Sequence, residues 1–487
     1  MVTNERCENV TTNGTVTLES NATITISAAS LTISDPIVGP YNLTIILTAA
    51  ECDEVTVYPT FTLTSGGQLD LRGEEGDPGA PGTSTADATS GQAGGGGGRC
   101  LTIICQGDIV INGAIQTYGG AGGGGGMGGV DNTGSYNLSG NGGDGGAGGA
   151  GGNVTIAHGA NTPADSVISF SSGDLVDAYG GAGGPGGKAD GGSYVYSCAD
   201  AGGVGGDSGS GGDGGDVYVI GLNIVLPTGG STYAWMDASG GASGAAGHGY
   251  SGVHENSCTT PFLSVTGAQS GYVGSAGDGG VVWLQSTQVA GSNPTFTGNV
   301  GILTNGGGGG LGGPGGRGGR VSDPSCCCPG GWATPLDGGV GGDAGSIFLT
   351  STRVGGGPYS MSLSARGGDG GVGGLGSVYW DSASDCTVGW DCLPMPGARG
   401  GDGGTGGNFT VAGAFSGMQS AYSLAWDGFG GSGGDGGDAE CVEGNGGAGG
   451  DAGDPGSSSG VPGGLSPSGV SPADGSDGTV GMLCICP

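Results

Sequence analysis

Glycine-rich runs that come in pairs constrain the fold of this chain more than any other feature. The chain has 131 glycines among 487 residues, many of them in Gly-Gly-X runs, and the pairs recur roughly every sixty residues. The run 180–187, for example, is followed by a short insert and then by the run 202–215. Self-similarity at a fixed period is the signature of a repeat architecture, in which each repeat contacts only its neighbours.

Short apolar stretches that follow the pairs of runs have the pattern of β-strands. Their openings lie 46 to 71 residues apart, at Glu54, Cys100, Asn153, Asp216, Val281, Ser346, Asn408 and Thr479. From the second opening to the seventh, the first and third residues that follow are apolar, and the residue between them is Thr or aromatic. Such alternation places the apolar residues on one face of a strand. Neighbouring repeats should therefore bury Val219, Leu284 and Leu349 in one stack, while Tyr218, Trp283 and Phe348 face a second layer.

A second strand follows in most repeats, for example at 108–111 and 167–170. The sequence therefore predicts an all-β fold with essentially no α-helix, built either as a β-solenoid or from sandwich-like rungs. We expect a Thr-rich N-terminal cap or assembly segment over 1–53, a repeat array over 54–478 and a closing strand over 479–487.

The glycine runs have a period of three, which is the period of the polyproline-II helix. An isolated run would be a flexible linker, because glycine loses much backbone entropy when it is ordered. Runs packed side by side can instead hydrogen-bond to one another, so the paired runs predict a bundle of polyglycine-II hairpins. A valine at Gly184 should then disturb the bundle far more than a valine at Ala182. The segment 73–82 has a collagen-like Gly-X-Y pattern, but it is too short to wind a triple helix.

Composition argues for an extracellular, cell-surface or virion-surface protein without a membrane span. The formal net charge is −34, with a single lysine, Lys188. Nucleic-acid binding needs basic patches, and the sequence has none. No apolar run reaches the length needed to span a bilayer. The acidic residues, many of them at X positions, are expected to form a solvated face.

Fourteen cysteines favour an oxidising compartment. Eight of them fall in the inserts between paired runs and are candidates for disulfides between neighbouring inserts: Cys198, Cys258, Cys326, Cys327, Cys328, Cys386, Cys392 and Cys441. We expect Cys198 to pair with Cys258, and one cysteine of 326–328 to pair with Cys386 or Cys392. The cysteine spacing does not fit a zinc site, so we expect no metal and no cofactor.

Other candidate sites are weaker. Asn-x-Thr or Asn-x-Ser sequons make seven asparagines candidates for glycosylation: Asn9, Asn13, Asn21, Asn42, Asn137, Asn153 and Asn408. Aromatic residues in the inserts are candidates for contacts with a partner: Tyr194, Tyr196, Trp332, Trp380 and Trp390. No Ser/His/Asp or paired-carboxylate arrangement stands out, so we do not expect an enzyme.

The paired glycine runs between Gly94 and Gly456 resemble, in composition and period, the polyglycine-II surface proteins. These include the glycine-rich adhesins of phage tail fibres and the snow-flea antifreeze proteins. Those proteins lack the recurring strands found here, so no functional residue is carried over from them. The resemblance implies a rigid bundle that displays loops.

We expect this chain to be the structural subunit of a self-assembling extracellular filament or virion surface fibre, in which copies stack end to end. The segments 7–53 and 479–487 would then meet between copies. The first alternative is an adhesin that binds glycans or a cell-surface receptor through the inserts. The second is an ice-binding protein, although the X residues are less regular than ice binding prefers.

Overall fold

The computed structural model contains parallel β-sheets and layers of glycine runs. It describes residues 8–52, 55–82, 97–129, 140–171, 175–189, 203–227, 234–249, 269–286, 296–297, 300–313, 335–351, 359–374, 378–382, 390–394, 398–413, 422–427, 430–433, 435 and 458–459. Within these residues every regular element is a β-strand and none is a helix, so the expected all-β class is confirmed.

Three sheets, here named A, B and C, contain 25 of the strands, numbered in chain order. Sheet A consists of β3 (Ala22–Ser27), β6 (Leu43–Thr48), β11 (Leu101–Cys105), β14 (Val154–His158), β17 (Val217–Gly221), β20 (Val281–Ser286), β23 (Ser346–Ser351), β27 (Asn408–Gly413) and β29 (Ser458–Ser459). Sheet B consists of β1 (Asn9–Thr11), β4 (Ser30–Ile33), β9 (Thr60–Leu63), β12 (Ile109–Ile111), β15 (Val167–Phe170), β18 (Asn223–Val225) and β21 (Phe296–Thr297). Sheet C consists of β2 (Val16–Thr17), β5 (Ile37–Val38), β10 (Gln68–Asp70), β13 (Ala114–Gln116), β16 (Leu175–Asp177), β19 (Ala234–Asp237), β22 (Val300–Leu303), β24 (Tyr359–Ser364) and β28 (Tyr422–Asp427).

The chain visits these sheets in a fixed order, and we call one passage through A, B and C a circuit. The strands β11, β12 and β13 form one circuit, and β14, β15 and β16 form the next. Each strand pairs in parallel with the equivalent strand of the neighbouring circuit, as Leu101 does with Val154 and Val154 with Val217. Each circuit from β3 to β22 therefore adds one strand to each sheet, and the described strands of the later circuits lie in sheets A and C.

The hydrophobic core is formed by the inward-facing residues of all three sheets. Val219, Leu284 and Leu349 are buried in register with one another, so this prediction is confirmed. The aromatic residues between them lie half-buried on the outer face of sheet A. Instead of facing a second layer, the rings of Trp283 and Phe348 stack on each other, with centroids 4.8 Å apart.

The N-terminal residues extend these same sheets. Asn21 and Asn42 precede β3 and β6, which are the sheet A strands before β11. The stretch that follows Glu54 does not join sheet A: β7 (Ala50–Cys52) and β8 (Val55–Val57) form a short antiparallel hairpin instead. Its valines are spaced as in a sheet A strand, but Val55 is exposed. The residue of sheet A that pairs with Leu101 and points into the core is Leu43. Thr479 and the expected closing strand lie outside the described residues.

The glycine runs lie between sheet C and sheet A of successive circuits and form two layers. An outgoing run leaves sheet C and a returning run leads back to sheet A, so that 118–129 and 140–152 make one hairpin. The two runs of a hairpin are antiparallel: Gly149 donates its N–H to the carbonyl of Gly120, and Gly146 donates to Gly123. The runs 180–187 and 203–215 are hydrogen-bonded in the same way, as predicted.

Each triplet uses its three residues differently. The first glycine donates its N–H to the X residue of the next run in the same layer, as Gly119 does to Tyr179. The second glycine bonds to the other layer, as Gly181 does to Gly149. A Cβ on Gly181 would overlap the carbonyl of Gly120, and a Cβ on Gly180 would overlap that of Gly212. Gly180 and Gly181 must therefore be glycine because a backbone occupies the place of the side chain. In some other triplets the first position holds a small residue, such as Ser208 or Ala276.

The collagen-like segment 73–82 is the first outgoing run of this bundle. Gly73 and Gly76 donate to Tyr118 and Ala121 of the next run. In later outgoing runs the second glycine faces the preceding run, but no described run precedes this one. Glu74 and Asp77 therefore occupy the second position and are exposed. The Gly-X-Y pattern reflects a position at the edge of the layer.

Candidate functional site

The cysteine and aromatic candidates in the inserts remain predictions. Three of them are in a described antiparallel hairpin made of β25 (Val378–Ser382) and β26 (Trp390–Pro394), in which Trp380 is opposite Cys392. Trp390 is opposite Ser382 in the same hairpin. The other insert candidates lie outside the described residues: Tyr194, Tyr196, Cys198, Cys258, Cys326, Cys327, Cys328, Trp332, Cys386 and Cys441.

The sequon asparagines have a structural role that the sequence analysis missed. The side-chain Oδ1 of Asn21 accepts the backbone N–H of Asn42, and Oδ1 of Asn42 accepts that of Cys100, at 3.0 and 2.9 Å. Asn153 accepts the N–H of Asp216 at 2.9 Å. These asparagines open sheet A strands, and the Thr two residues later points outward, so the strand pattern itself produces the sequon. Of the remaining candidates, Asn9, Asn13 and Asn408 are exposed and Asn137 lies outside the described residues.

Aspartates at X positions continue this hydrogen bonding along the returning layer. Oδ1 of Asp213 accepts the N–H of Asp278 at 3.0 Å, Asp278 accepts that of Asp343 at 2.8 Å, and Asp343 accepts that of Thr405 at 2.7 Å. A second row runs from Asp144 through Asp207 to Tyr272. The X residues are solvent-facing as expected, but each carboxylate also binds the next hairpin. We call this feature the aspartate ladder.

The outgoing layer has a different surface near sheet C. Its X residues there include Ala121, Ala182 and Ala242, which have no side-chain acceptor for the next run. Among the described residues, no group accepts the N–H of Ala121 or Ala182. This face therefore presents small side chains and backbone donors to solvent, whereas the returning face presents carboxylates.

A groove of about 810 Å³ is formed where the first outgoing runs leave sheet C. Its floor includes Gly119, Gly120 and Gly181, and the turn 38–40, where the chain bends after β5, also lines it. Its polar and aromatic lining comes from Asp70, Arg72, Glu74, Glu75, Tyr118 and Tyr179.

The side chains of the groove are held by one another. Arg72 contacts Asp70 at 3.1 Å and donates to the hydroxyl of Tyr118 at 2.7 Å. The rings of Tyr118 and Tyr179 are parallel, with centroids 4.6 Å apart. The hydrogen bond to Tyr118 and the charge of Asp70 raise the pKa of Arg72. Burial raises the pKa of Tyr179 to about 12, so its hydroxyl keeps its proton at physiological pH.

Burial shifts the pKa of three ionisable groups in or beside the sheets, Asp177, His158 and Cys105. Burial, together with the charge of Asp237, raises the pKa of Asp177 to about 6. Burial lowers the pKa of His158 to about 4, and its Nδ1 accepts the N–H of Leu222 at 3.1 Å. Burial also raises the pKa of the Cys105 thiol to about 11, which disfavours the reactive thiolate.

Comparison of the chain with protein-family models, with curated proteins and with solved structures finds no match. The described residues contain no group of three or more His, Cys, Asp or Glu side chains placed to hold a metal ion. They also contain no helix of the length and apolarity that a membrane crossing requires.

Proposed function

We propose that this chain is a structural subunit of an extracellular filament or virion surface fibre. In this proposal the circuits form a β-solenoid, and the glycine layers form a polyglycine-II bundle along one side of it. The observation that carries the proposal is the shared register of the three sheets and two glycine layers. Hydrogen bonds between hairpins, such as those from Gly119 to Tyr179 and from Gly181 to Gly149, connect the same neighbouring circuits as the strand pairs do. An array of this kind resists bending because each circuit is fixed at the strands and again along its hairpin.

The edge of the array supports assembly by end-to-end stacking. Ala22 donates its N–H to Asn42, which belongs to the next circuit. Since N–H groups alternate between the two edges of a strand, those of Thr23 and Thr25 point to the other edge of β3. Among the described residues no strand pairs with that edge. An open strand edge is a template for another chain, and a contact between different ends of identical copies propagates a fibre.

Charge and cysteine chemistry support the proposed surroundings. A net charge of −34 keeps neighbouring filaments apart and keeps a glycine-rich chain soluble. Cys52 is disulfide-bonded, which suits an oxidising compartment.

A proline at Thr25 tests this assembly. The substitution removes an N–H that has no partner among the described residues, and a preceding strand residue tolerates proline, so the subunit should fold. Wild-type protein should form filaments in negative-stain micrographs, and Thr25→Pro should give single subunits with an unchanged melting temperature. Thr25→Val, which keeps the N–H, is the control and should form filaments. Filaments of normal length from Thr25→Pro would place the joint elsewhere and contradict stacking at this edge.

An adhesin is the second candidate, favoured by the hairpin β25–β26. This hairpin lies in the insert between an outgoing and a returning run, and it carries Trp380 and Trp390. Tryptophan is among the residues most enriched at binding hot spots. Replacing residues 378–394 with a Gly-Ser linker should abolish binding to host cells if the insert is the adhesive element. Unchanged binding would exclude it.

A further inference from the structure

The groove at the start of the outgoing layer has the features of a ligand site that is separate from both the inserts and the open strand edge. Its volume of about 810 Å³ is within the usual range for small-molecule sites, which are concave and carry a few well-placed polar groups. It is lined by residues from four successive parts of the chain, including the turn 38–40 and the three outgoing runs that begin near Arg72, Tyr118 and Tyr179. The groove therefore runs across the hairpins.

The floor of the groove is flat because it has almost no side chains. Gly119, Gly120 and Gly181 are glycines for the packing reason given above, and Ala121 and Ala182 add only methyl groups. The backbone N–H groups of Ala121 and Ala182 have no acceptor among the described residues. In the returning layer the aspartate ladder accepts equivalent N–H groups, such as those of Asp278 and Asp343, whereas the N–H groups of the floor stay available to a ligand.

The walls of the groove are positioned before any ligand arrives. Asp70 and Tyr118 hold the guanidinium of Arg72 at 3.1 and 2.7 Å, and Tyr118 stacks on Tyr179. Ser239 is the equivalent residue of the next outgoing run, so no third ring continues the stack. A tyrosine combines an apolar ring with a polar hydroxyl, which suits a ligand that has both kinds of surface. Side chains that are already held lose little entropy on binding.

The charges of the lining decide the class of ligand. Three carboxylates, from Asp70, Glu74 and Glu75, surround a single cation, Arg72, and this balance repels phosphate and carboxylate groups. A cationic ligand would use only the hydrogen-bond acceptors of the lining, and its charge would lie beside the positive guanidinium of Arg72. The lining instead mixes acceptors with donors, and the hydroxyl group is both a donor and an acceptor.

We propose that this groove binds a neutral oligosaccharide, with sugar rings lying flat on the glycine floor and against Tyr179. Sugar hydroxyls accept from Arg72 and from the N–H groups of the floor, and they donate to Glu74 and Glu75. The carbon faces of the rings pack on Tyr179 and on the two alanine methyl groups. This site is independent of end-to-end assembly, since none of its residues belongs to β3.

Binding of a panel of neutral oligosaccharides tests the proposal. Maltotriose, cellotriose, chitotriose and mannotriose would be screened against the full chain by saturation-transfer NMR, and the Kd of the best would be measured by calorimetry. We expect at least one to bind, with a Kd that is insensitive to salt. Tyr179→Ala and, separately, Arg72→Ala should each weaken binding about tenfold or more, a free-energy loss of about 1.4 kcal/mol. Tyr218→Ala is the matched control, because Tyr218 is also half-buried and next to a carboxylate but lies on the outer face of sheet A.

Three results would overturn the proposal. The first is the absence of binding to every sugar of the panel. The second is full binding by both Tyr179→Ala and Arg72→Ala, which would place the sugar site elsewhere, for example on the inserts. The third is an equal loss in Tyr218→Ala, which would show that the loss comes from the fold. Arg72 is exposed, so the Arg72→Ala variant keeps the test decisive if Tyr179→Ala fails to fold.

Discussion

The strand stack and the glycine layers of this protein both hold neighbouring circuits in register, the strands with large side chains and the layers with almost none. Both repeat once per circuit, and both satisfy backbone N–H groups with carbonyls of the next circuit. In the strands, large apolar side chains such as Leu284 exclude water from the interior. In the layers, water is excluded because backbones touch directly, with few side chains between them. A parallel register can therefore be held with or without a hydrophobic core.

The two regions should consequently tolerate opposite substitutions. Inward positions of a strand require bulk, and a smaller side chain leaves a cavity there. Second positions inside the bundle, such as Gly184, require the absence of a side chain, while X positions such as Ala182 are free. The predictions below test this contrast, beginning with the largest effect.

Gly184→Val should be the most damaging change within the glycine layers. A Cβ at Gly184 would overlap the carbonyl of Gly123 in the preceding run, so the two runs must separate. We expect a loss of about 3 kcal/mol in the free energy of unfolding, measured by urea denaturation. Ala182→Val, two residues earlier, is the control and should change stability by less than about 0.5 kcal/mol because Ala182 is exposed. Equal effects at the two positions would mean that the runs do not pack in this way.

His158→Gln tests the strand stack through the pH dependence of the free energy of unfolding. His158 lies at the end of a strand, and its folded pKa of about 4 is below its ordinary value of 6.5. Between these values the unfolded chain binds a proton that the folded chain does not, so stability falls as the pH decreases from 6.5 to 4. The loss amounts to about 3 kcal/mol at most. Urea denaturation across this window should give a flatter curve for His158→Gln than for wild type. Parallel curves would contradict a buried neutral histidine.

Asp278→Ala should have a smaller effect, because it removes one step of the aspartate ladder. The N–H of Asp343 loses its acceptor but can bond to water, so the cost should be about 1 kcal/mol or less. Asp278→Asn keeps the acceptor oxygen and removes one negative charge, so it should be at least as stable as wild type. Thermal melts of the two variants distinguish the hydrogen bond from the charge. A larger loss for Asn than for Ala would show that the charge itself matters.

The sequence predicted the features that depend on period. The alternation after Asn153, Asp216 and Val281 identified the strands of sheet A and their register, because an inward apolar residue must recur in every circuit. The glycine period likewise predicted paired, hydrogen-bonded runs. The hairpin at 50–57 was missed because its two valines imitate a strand of the array.

Features that depend on contacts between particular repeats were harder to predict. The role of Glu74 and Asp77 follows from their position in the first run, which no single triplet reveals. The groove was missed because Arg72, Tyr118 and Tyr179 are separated by 46 and 61 residues, and only the register of the runs brings them into one row. Their spacing does match the repeat length, and aligning the X positions of successive runs could have found the row. The aspartate ladder could have been found in the same way.

Amide hydrogen exchange tests the central claim, that the glycine layers are as ordered as the strands, most directly. The second glycines of the triplets, such as Gly181 and Gly184, donate to carbonyls of the other layer at 2.8 Å. Their exchange should be slowed to a degree similar to that of Val219 in the strand stack, whereas the N–H of Ala182 should exchange rapidly. Measurement of resolved amides by NMR, or by mass spectrometry with fragmentation, would give both rates in one experiment. Rapid exchange at Gly181 and Gly184 beside slow exchange at Val219 would contradict the account and leave the glycine runs as loops around a β core.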